Sequence, residues 1–183
     1  NYELLADLFI YPEADSHKEK IKAIHQYLSV HSPKASDAMN LFMEFLDAAT
    51  LTDMQELYLR SFDVQAITTL DIGFILFGED YKRGQLLVNL NREHREAGNI
   101  CHTELSDHLP NVLRLLPKMK DEAMRNEIAT RLVMSAIIKM TSEFAEEKIK
   151  KKDEIYKKHH KVLLEFSQQY RAVYFTLLQA LLI

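Results

Sequence analysis

The sequence predicts an all-α protein that forms a single-domain helical bundle, and three observations lead to that prediction. Apolar residues recur every three or four positions through most of the chain, the spacing that places them on one face of a helix. Only four glycines and four prolines occur among 183 residues, whereas all-β and nucleotide-loop folds need glycine at turns with positive φ. The length fits one domain over residues 1–183 with a full hydrophobic core.

The first third of the chain predicts four helices. The segment "YELLADLFIYP" has helical spacing and stops at Pro12, and a second helix covers "HKEKIKAIHQYLSV". A third helix is expected from Ser36 to Ala49, and Thr52 is the expected N-cap of a fourth that ends at Phe62. The residues expected to face the core are Leu4, Leu5, Leu8, Phe9, Ile21, Ile24, Tyr27, Leu28, Met39, Phe42, Met43, Leu46, Met54, Leu57 and Tyr58.

The periodic pattern breaks between Asp63 and Arg83, where we expect a structured connection that contains a short helix or turn. Helix resumes at Gly84 and ends before Gly98, a natural residue for the left-handed conformation that follows a helix. A further helix begins within "ELSDHLPNVLRLLP" (104–117). Two long helices, about Asp121 to Ile149 and Glu154 to Leu182, complete the predicted bundle.

The stretch 104–117 contains residue types that could serve several kinds of site. Ser106 and His108 could act as nucleophile and base, but residues so close in sequence rarely reach the geometry of a catalytic triad. The nearby residues that could bind a metal are Cys101, His102, Glu104, Asp107 and His108. They show none of the His-Glu-x-x-His, Cys-x-x-Cys or Glu-x-x-His spacings of known metal sites. The sequence therefore predicts no catalytic residue and no bound metal.

Capping of the next helix explains most of this stretch. Ser106 or Asp107 is expected to accept a backbone N–H at the helix start, where negative charge also meets the helix dipole favourably. Pro110 fits the first turn, because the N–H groups there have no partner within the helix. The leucines and valine that follow would face the core. Capping leaves Glu104 and His108 unexplained.

Charge and apolar patterning limit the expected partners. Residues 148–161 hold seven lysines and two acids, a composition that also occurs on nucleic-acid-binding surfaces. Ile149, Tyr156 and Leu163 keep a seven-residue apolar spacing, however, which favours a surface helix with its lysines in solvent. The formal net charge of −4 also argues against general affinity for nucleic acid.

Two further features concern the compartment. The single cysteine, Cys101, cannot form an internal disulfide, which fits a reducing compartment. The apolar stretch "AVYFTLLQALLI" is twelve residues long, shorter than the ~20 residues that span a bilayer. We therefore expect no membrane span.

Several segments together resemble one family. They are "SFD" (61–63), "FGEDYKRGQLLVNL" (77–90), Gly98 and "ELSDHLPNVLRLL" (104–116). They resemble the NarJ/TorD family of cytoplasmic chaperones that assemble molybdenum oxidoreductases, and its nitrate reductase assembly branch most closely. Ser106 stands where the branch usually has proline. The matching residues are Phe62, Asp63, Gly78, Glu79, Arg83, Gly84, Gly98, Glu104, Leu105, Asp107, His108, Leu109 and Pro110.

The resemblance implies a TorD-like helical chaperone in the cytoplasm rather than an enzyme. Such chaperones bind the N-terminal segment of a molybdopterin-dependent catalytic subunit, often a twin-arginine leader or its remnant. They hold that subunit until the molybdopterin cofactor is inserted. The cofactor then belongs to the client enzyme, the chaperone holds none tightly, and proteins that deliver the cofactor are expected as further partners.

The resemblance also implies a set of peptide-binding residues. Carboxylates can bind the arginines of a leader, and apolar side chains can line a groove for its apolar stretch. The expected carboxylates are Asp63, Glu79, Glu104 and Asp107, and the expected apolar wall is Phe62, Phe77, Leu87 and Leu109, with His108 and Pro110 at the lip. Arg83 is expected to tie the irregular connection to an acid such as Asp63 or Glu104, while Gly84 would permit close backbone approach.

Two functions of other classes remain open at this point. One is a helical regulatory or nucleic-acid-binding domain that uses the basic helix 148–161. The other is a helical metalloenzyme.

Overall fold

The structure of the protein is a computed structural model, which describes residues 2–159 and 170–183. Most of these residues are helical and none forms a β-strand, so the all-α prediction is confirmed. They form two compact units: the first joins the chain up to Ile10 to Leu70–Lys139, and the second joins Tyr11–Thr69 to Met140–Ile183. A single domain over residues 1–183 stays a prediction. Within the described part of the chain, no helix combines the length and apolar character needed to cross a membrane.

The α-helices are α1 (Tyr2–Ala6), α2 (Ser16–His31), α3 (Pro33–Ala38), α4 (Asn40–Ala48), α5 (Leu51–Phe62), α6 (Ile72–Phe77), α7 (Tyr81–Glu96), α8 (Leu109–Leu115), α9 (Glu122–Glu127), α10 (Ser135–Glu143), α11 (Glu146–His159) and α12 (Tyr174–Leu182). The 3₁₀ turns Asp7–Phe9 and Leu116–Lys118 extend α1 and α8. A π-helical segment, Ile128–Met134, joins α9 to α10.

In the first unit, α8 is the most deeply buried helix and packs against α1. The side chains predicted to face inward are almost completely buried, namely Leu109, Val112, Leu113 and Leu116. Arg114 points the other way, and its Nη2 donates to Asp7 Oδ1 at 2.6 Å. The chain start is thereby tied to α8 by both apolar contact and an ion pair, which gives the first unit its core.

The second unit has an aromatic core. Tyr174 lies between Phe42 and Phe62, with its ring centroid 5.2 Å and 4.7 Å from theirs, and Tyr58 lies beside it. Complete burial, with a smaller effect of Tyr58, raises the pKa of the Tyr174 hydroxyl, so the phenol is neutral at any physiological pH. Edge-to-face ring pairs of this kind stabilise a core beyond the area that they bury.

A buried arginine, Arg171, connects two helices of the second unit. Arg171 Nη1 donates to the carbonyl of Arg60 at 2.8 Å, and its Nη2 lies 3.0 Å from Asp153 Oδ1. The guanidinium therefore joins the end of α5 to α11, just before α12 begins. Burial of this charge is compensated by a carboxylate and a carbonyl, as a buried ion requires.

Several predicted helix boundaries are wrong for local reasons. The third predicted helix begins earlier, at Pro33, and divides at Met39, whose N–H bonds the carbonyl three residues back at Ser36. The N-cap of α5 is Thr50 rather than Thr52, because Thr50 and Asp53 form a reciprocal capping box. Similarly, α7 begins at Tyr81 rather than Gly84, since the Asp80 carboxylate accepts the N–H of Lys82.

The long helix predicted for residues 121–149 is also wrong. It divides at Phe144, whose N–H bonds the carbonyl of Thr141, and α11 then starts at Glu146. The turn buries the Phe144 ring, which contacts Phe175 at a centroid distance of 6.3 Å. The second predicted long helix, Glu154 to Leu182, is helical to His159 and again from Tyr174, while residues 160–169, including Leu163, lie outside the described residues.

The capping box gives a first testable prediction. Thr50→Ala removes the side chain that accepts the Asp53 N–H at 3.2 Å, so the free energy of unfolding should fall by about 1 kcal/mol. Thr52→Ala, an exposed change in the first turn of the same helix, is the matched control and should alter it by less than ~0.5 kcal/mol. Urea denaturation measures both, and equal losses in the two variants would contradict the assignment of Thr50 as the cap.

Candidate functional site

Two carboxylates of the first unit bind one guanidinium, and a histidine binds one of those carboxylates. Arg83 Nε lies 3.0 Å from Asp107 Oδ2, and Arg83 Nη2 lies 2.9 Å from Asp71 Oδ2. Asp71 Oδ1 in turn accepts from His108 Nδ1 at 3.1 Å. We name Asp71, Arg83, Asp107 and His108 the Arg83 cluster. It joins the residue before α6, the first turn of α7 and the two residues before α8, so it fixes three helix starts relative to one another.

Asp107 is the innermost member of the Arg83 cluster, with no exposed surface. Its carboxylate Oδ2 accepts the N–H of Gly73 at 3.1 Å, and its backbone carbonyl accepts the N–H of Ile72 at 2.9 Å. Both donors belong to the first turn of α6, whose N–H groups have no partner within the helix. Asp107 therefore caps α6 from a distant part of the chain.

A short backbone pairing supports this cap. Asp71 and His108 form an isolated antiparallel bridge, and the N–H of Leu109 donates to the carbonyl of Leu70 at 2.9 Å. The backbone on both sides of Asp107 is therefore held against the backbone that enters α6.

Position 73 must be glycine, because the Asp107 carboxylate lies close to its backbone. A Cβ at position 73 would lie 2.6 Å from Asp107 Oδ2 and 3.1 Å from Arg83 Cγ. A Cβ at position 84 would meet nothing within 4 Å, so the expected close approach at Gly84 is wrong: Gly84 faces solvent on α7. The sequence prediction chose the wrong glycine, because the close contact at Gly73 comes from Asp107, 34 positions away.

Mutual charge compensation sets the electrostatics of the cluster. The hydrogen bond from His108, opposed by burial and aided by the charge of Arg83, lowers the pKa of Asp71. Burial alone would lower the pKa of Arg83, but its hydrogen bonds and charge interactions with Asp107 and Asp71 raise it. Because the folded-state pKa of Asp71 is below its ordinary value, this pairing stabilises the fold above that value and is lost as acid protonates the carboxylate.

The outer side of the cluster carries exposed apolar and acidic groups. The guanidinium of Arg83 lies 5.4 Å from the centre of the Phe74 ring, which is 42% exposed. Glu104 Oε2 lies 4.0 Å from His108 Nδ1, and the Glu104 side chain is 60% exposed. Leu105 is also half exposed. These groups, with the partly exposed Asp71, form what we name the acidic rim: Asp71, Phe74, Glu104 and Leu105.

The structure brings only some of the predicted site residues together. Arg83, Asp107 and His108 meet in the cluster, and Glu104 lies at its edge. Glu79 is exposed in the turn between α6 and α7, while Phe77 and Leu87 are half-buried. Leu109 and Pro110 are buried in α8. Phe62, which is buried, and Asp63, which is exposed, belong to the second unit.

Two predicted contacts near the cluster have different partners. The expected acid partner of Arg83 was Asp63 or Glu104, whereas the structure gives Asp71 and Asp107. The expected cap of α8 was Ser106 or Asp107, but His108 occupies the N-cap position without a side-chain bond. Asp107 points instead to α6. Pro110 does lie in the first turn of α8, as predicted.

Sequence reasoning missed Asp71 and Gly73. The available signal was "DIG" directly before the apolar block "FILFG", an acid placed at the start of a short helix. Asp71 is the N-cap residue there but makes no cap bond, because its oxygens bind Arg83 and His108.

A separate cavity of about 350 Å³ lies between α7 and the α9–π segment of the same unit. Its apolar lining includes Leu86, Leu90, Met124, Ile128 and Leu132, and its charged lining is Arg92, Glu93, Glu127 and Arg131. The charges pair within the protein, Arg92 with Glu93 at 3.2 Å and Arg131 with Glu127 at 3.0 Å. The cavity is therefore apolar with a neutral edge.

The lysine-rich segment is partly neutralised. Lys148 and Lys152 both pair with Glu143, at 2.8 and 2.9 Å, and Lys150 pairs with Glu146 at 2.6 Å. Lys152 also donates to the carbonyl of Ile67. Ile149 is buried, as the apolar spacing predicts, and His160 and Lys161 lie outside the described residues.

Among residues 2–159 and 170–183, no group of three His, Cys, Asp or Glu side chains has an arrangement that could hold a metal ion. No protein-family model matches the chain, and no curated protein matches it significantly. The Arg83 cluster, with the sequence motif that it contains, is therefore the feature that bears on function.

The glycine contacts give a matched pair of predictions. Gly73→Ala should destabilise the protein by about 1–3 kcal/mol, because the new methyl group displaces the Asp107 carboxylate. Gly84→Ala should stabilise it by about 0.5–1 kcal/mol, since an exposed helical alanine loses less backbone entropy than glycine. Urea or thermal unfolding measures both, and an equal response of the two variants would refute the close approach at Gly73.

Arg83→Met tests the charge compensation. Removing the guanidinium leaves Asp107 buried without its counter-charge, so the free energy of unfolding should fall by about 3 kcal/mol. Lys82→Met, the exposed neighbour on α7, is the control and should have little effect. The double variant Arg83→Met/Asp107→Asn should lose less than the sum of its two single changes. Additive losses would show that the two side chains do not interact.

Proposed function

We propose that the protein is an assembly chaperone of the NarJ/TorD type. It binds the N-terminal leader of a molybdopterin-dependent catalytic subunit, similar to that of nitrate reductase, and holds the subunit for cofactor insertion. The observation that supports this proposal is the convergence of two motif segments: "FGEDYKRG" supplies Arg83, and "ELSDHLP" supplies Asp107 and His108, and the three meet in one hydrogen-bonded cluster.

The chemistry of the acidic rim matches a leader peptide. A leader offers arginines followed by an apolar stretch, and arginine binds best where a carboxylate and an aromatic ring are both available. The rim provides carboxylates at Asp71 and Glu104 and apolar surface at Phe74 and Leu105. Exposed Glu79 adds a further carboxylate in the turn after α6.

The motif residues divide into support and contact. Asp107 and Arg83 hold α6, α7 and the residues before α8, and the buried carboxylate of Asp107 cannot itself reach a peptide. The contact role then belongs to the exposed neighbours, chiefly Glu104 and Leu105. Phe62, Asp63, Phe77, Leu87, Leu109 and Pro110 stay predictions as peptide-binding residues.

The remaining parts of the proposal follow from the same resemblance. The protein works in the cytoplasm without catalysis, and the molybdopterin cofactor is bound by the client enzyme. Proteins that deliver the cofactor are further partners. Nucleic acid is not a proposed partner, because Lys148, Lys150 and Lys152 are paired with acids of the same region.

A pull-down from the source cell tests the client. The proposed function predicts that a large molybdopterin-dependent subunit is retained, and that deletion of its N-terminal segment abolishes retention. Recovery of the truncated subunit at the level of the full-length one would place the interaction elsewhere.

Titration calorimetry tests the rim. A synthetic client leader should bind Glu104→Gln about fivefold more weakly than wild type, because an exposed arginine–carboxylate contact contributes about 1 kcal/mol. Glu96→Gln, which removes the same charge from the exposed end of α7, should bind as wild type. The weakening should shrink at high salt. Unchanged binding in Glu104→Gln, or equal weakening in Glu96→Gln, would contradict a specific role of the rim.

A further inference from the structure

A buried histidine binds the loop of residues 99–106, which carries Glu104 and Leu105. His94, in the last turn of α7, is 3% exposed. Its Nε2 lies 2.9 Å from the carbonyl oxygen of Ser106, and its Nδ1 lies 2.9 Å from Asn99 Nδ2. Because a carbonyl can only accept, Nε2 must carry the proton.

The partners of Asn99 fix the second ring nitrogen. Asn99 Oδ1 accepts from Lys118 Nζ at 2.7 Å, and Asn99 Nδ2 also donates to the carbonyl of Asn111 at 3.2 Å. A flipped amide would bring its NH₂ group to the Lys118 ammonium and its oxygen to a carbonyl. The amide therefore presents N–H to His94 Nδ1, which must accept. This network accommodates only the neutral imidazole with its proton on Nε2.

The network holds the loop that carries Glu104 and Leu105 of the acidic rim. Besides the bonds of His94 to Asn99 and Ser106, Asn111 Nδ2 donates to the carbonyl of Leu105 at 2.9 Å. Ser106 Oγ donates to the carbonyl of Leu87 on α7 at 3.3 Å. Glu104 and Leu105 lie between Asn99 and Ser106, the two residues of the loop that bond to His94.

We propose that His94 is an acid-sensitive latch for residues 99–106: its protonation breaks the bond from Asn99, frees the loop and weakens leader binding. Only the last step depends on the proposed function. A proton on Nδ1 would point at the N–H of Asn99, so the loop loses the anchor between Asn99 and His94 when the imidazole becomes charged.

Burial and the neighbouring groups together set the direction of the pKa shift of His94. Burial, with a smaller contribution from the positive charge of Lys118, lowers the pKa of His94, while the bond to Ser106 opposes this. Glu3 of α1 lies 3.7 Å from the Lys118 ammonium and partly offsets it. On the loop, burial raises the pKa of the Cys101 thiol, which therefore stays neutral.

The sign of the pH dependence follows from that direction. The unfolded chain has the ordinary histidine pKa of about 6.5, and the folded-state value is lower. The unfolded or unlatched form therefore binds the proton more readily. The latch is fully closed above about pH 6.5 and opens as the pH falls below it.

Hydrogen exchange of the full chain tests the latch. Between about pH 7.5 and about pH 5.5, protection of amides 99–106, corrected for intrinsic rates, should fall by up to roughly tenfold in wild type. His94→Gln cannot titrate in this range and should keep similar protection at both pH values. His102→Asn, an exposed change on the same loop at φ 51°, should respond as wild type.

Unchanged wild-type protection at acid pH, or an equal fall of protection in His94→Gln, would overturn the latch. ¹⁵N spectra of wild-type imidazoles give a test that needs no variant. In the closed form, His94 should keep its proton on Nε2 alone at a pH where an ordinary imidazole with a pKa of about 6.5 is already charged. Titration of His94 at that ordinary pKa without loss of loop protection would refute the latch.

Leader binding separates the latch from the proposed function. With a synthetic leader, wild-type affinity should fall at acid pH while that of His94→Gln changes less. A peptide that binds at neither pH would refute the proposed function and leave the latch to be judged on exchange alone. Exchange that responds to pH while leader affinity does not would overturn the proposed link between loop and binding.

Discussion

The buried carboxylate of Asp107 is the constraint on which the candidate site depends. A charge with no exposure to water is tolerated only where donors and a counter-charge replace its hydration. Here the donors are the N–H of Gly73 and the guanidinium of Arg83. Each partner comes from a different helix start, so satisfying one charge fixes α6 and α7 relative to the residues before α8. The requirement for glycine at position 73 follows from the same contact.

That constraint extends outward through shared groups. Arg83 is shared between Asp107 and Asp71, which places Asp71 where it accepts the Nδ1–H of His108. On the inner side of the loop, His94 binds the carbonyl of Ser106, the residue before Asp107. Two adjacent residues are thus anchored from opposite sides. The exposed Glu104 and Leu105 directly precede these anchors, so a firm scaffold presents them to solvent.

Local pattern predicted the helices and their buried faces because helix periodicity is a short-range property. It failed where a contact from elsewhere decides. A tie from Arg83 to an acid was predicted, but the actual partners, Asp71 and Asp107, were not, because the sequence does not show which of several distant acids the fold brings to Arg83. One error was local: Thr50 rather than Thr52 caps α5, and the choice depends on backbone geometry that two neighbouring threonines do not reveal. At the break, the Phe144 ring is buried and contacts Phe175, a contact that the local pattern does not show.

Some motif residues hold the scaffold together and others are exposed for contact, and this division limits what a match to the motif can indicate. Asp107, Arg83 and the position of His108 are explained by the packing of helix starts, whether or not a peptide binds. A family resemblance at these residues is therefore evidence for the same arrangement of helix starts before it is evidence for the same ligand. In the proposed function, the identity of the ligand depends on Glu104, Leu105 and Glu79, whose side chains are exposed. Changes at these three positions should alter what is bound while leaving the scaffold intact, which is why the binding tests must be made there and the stability tests at the buried charge.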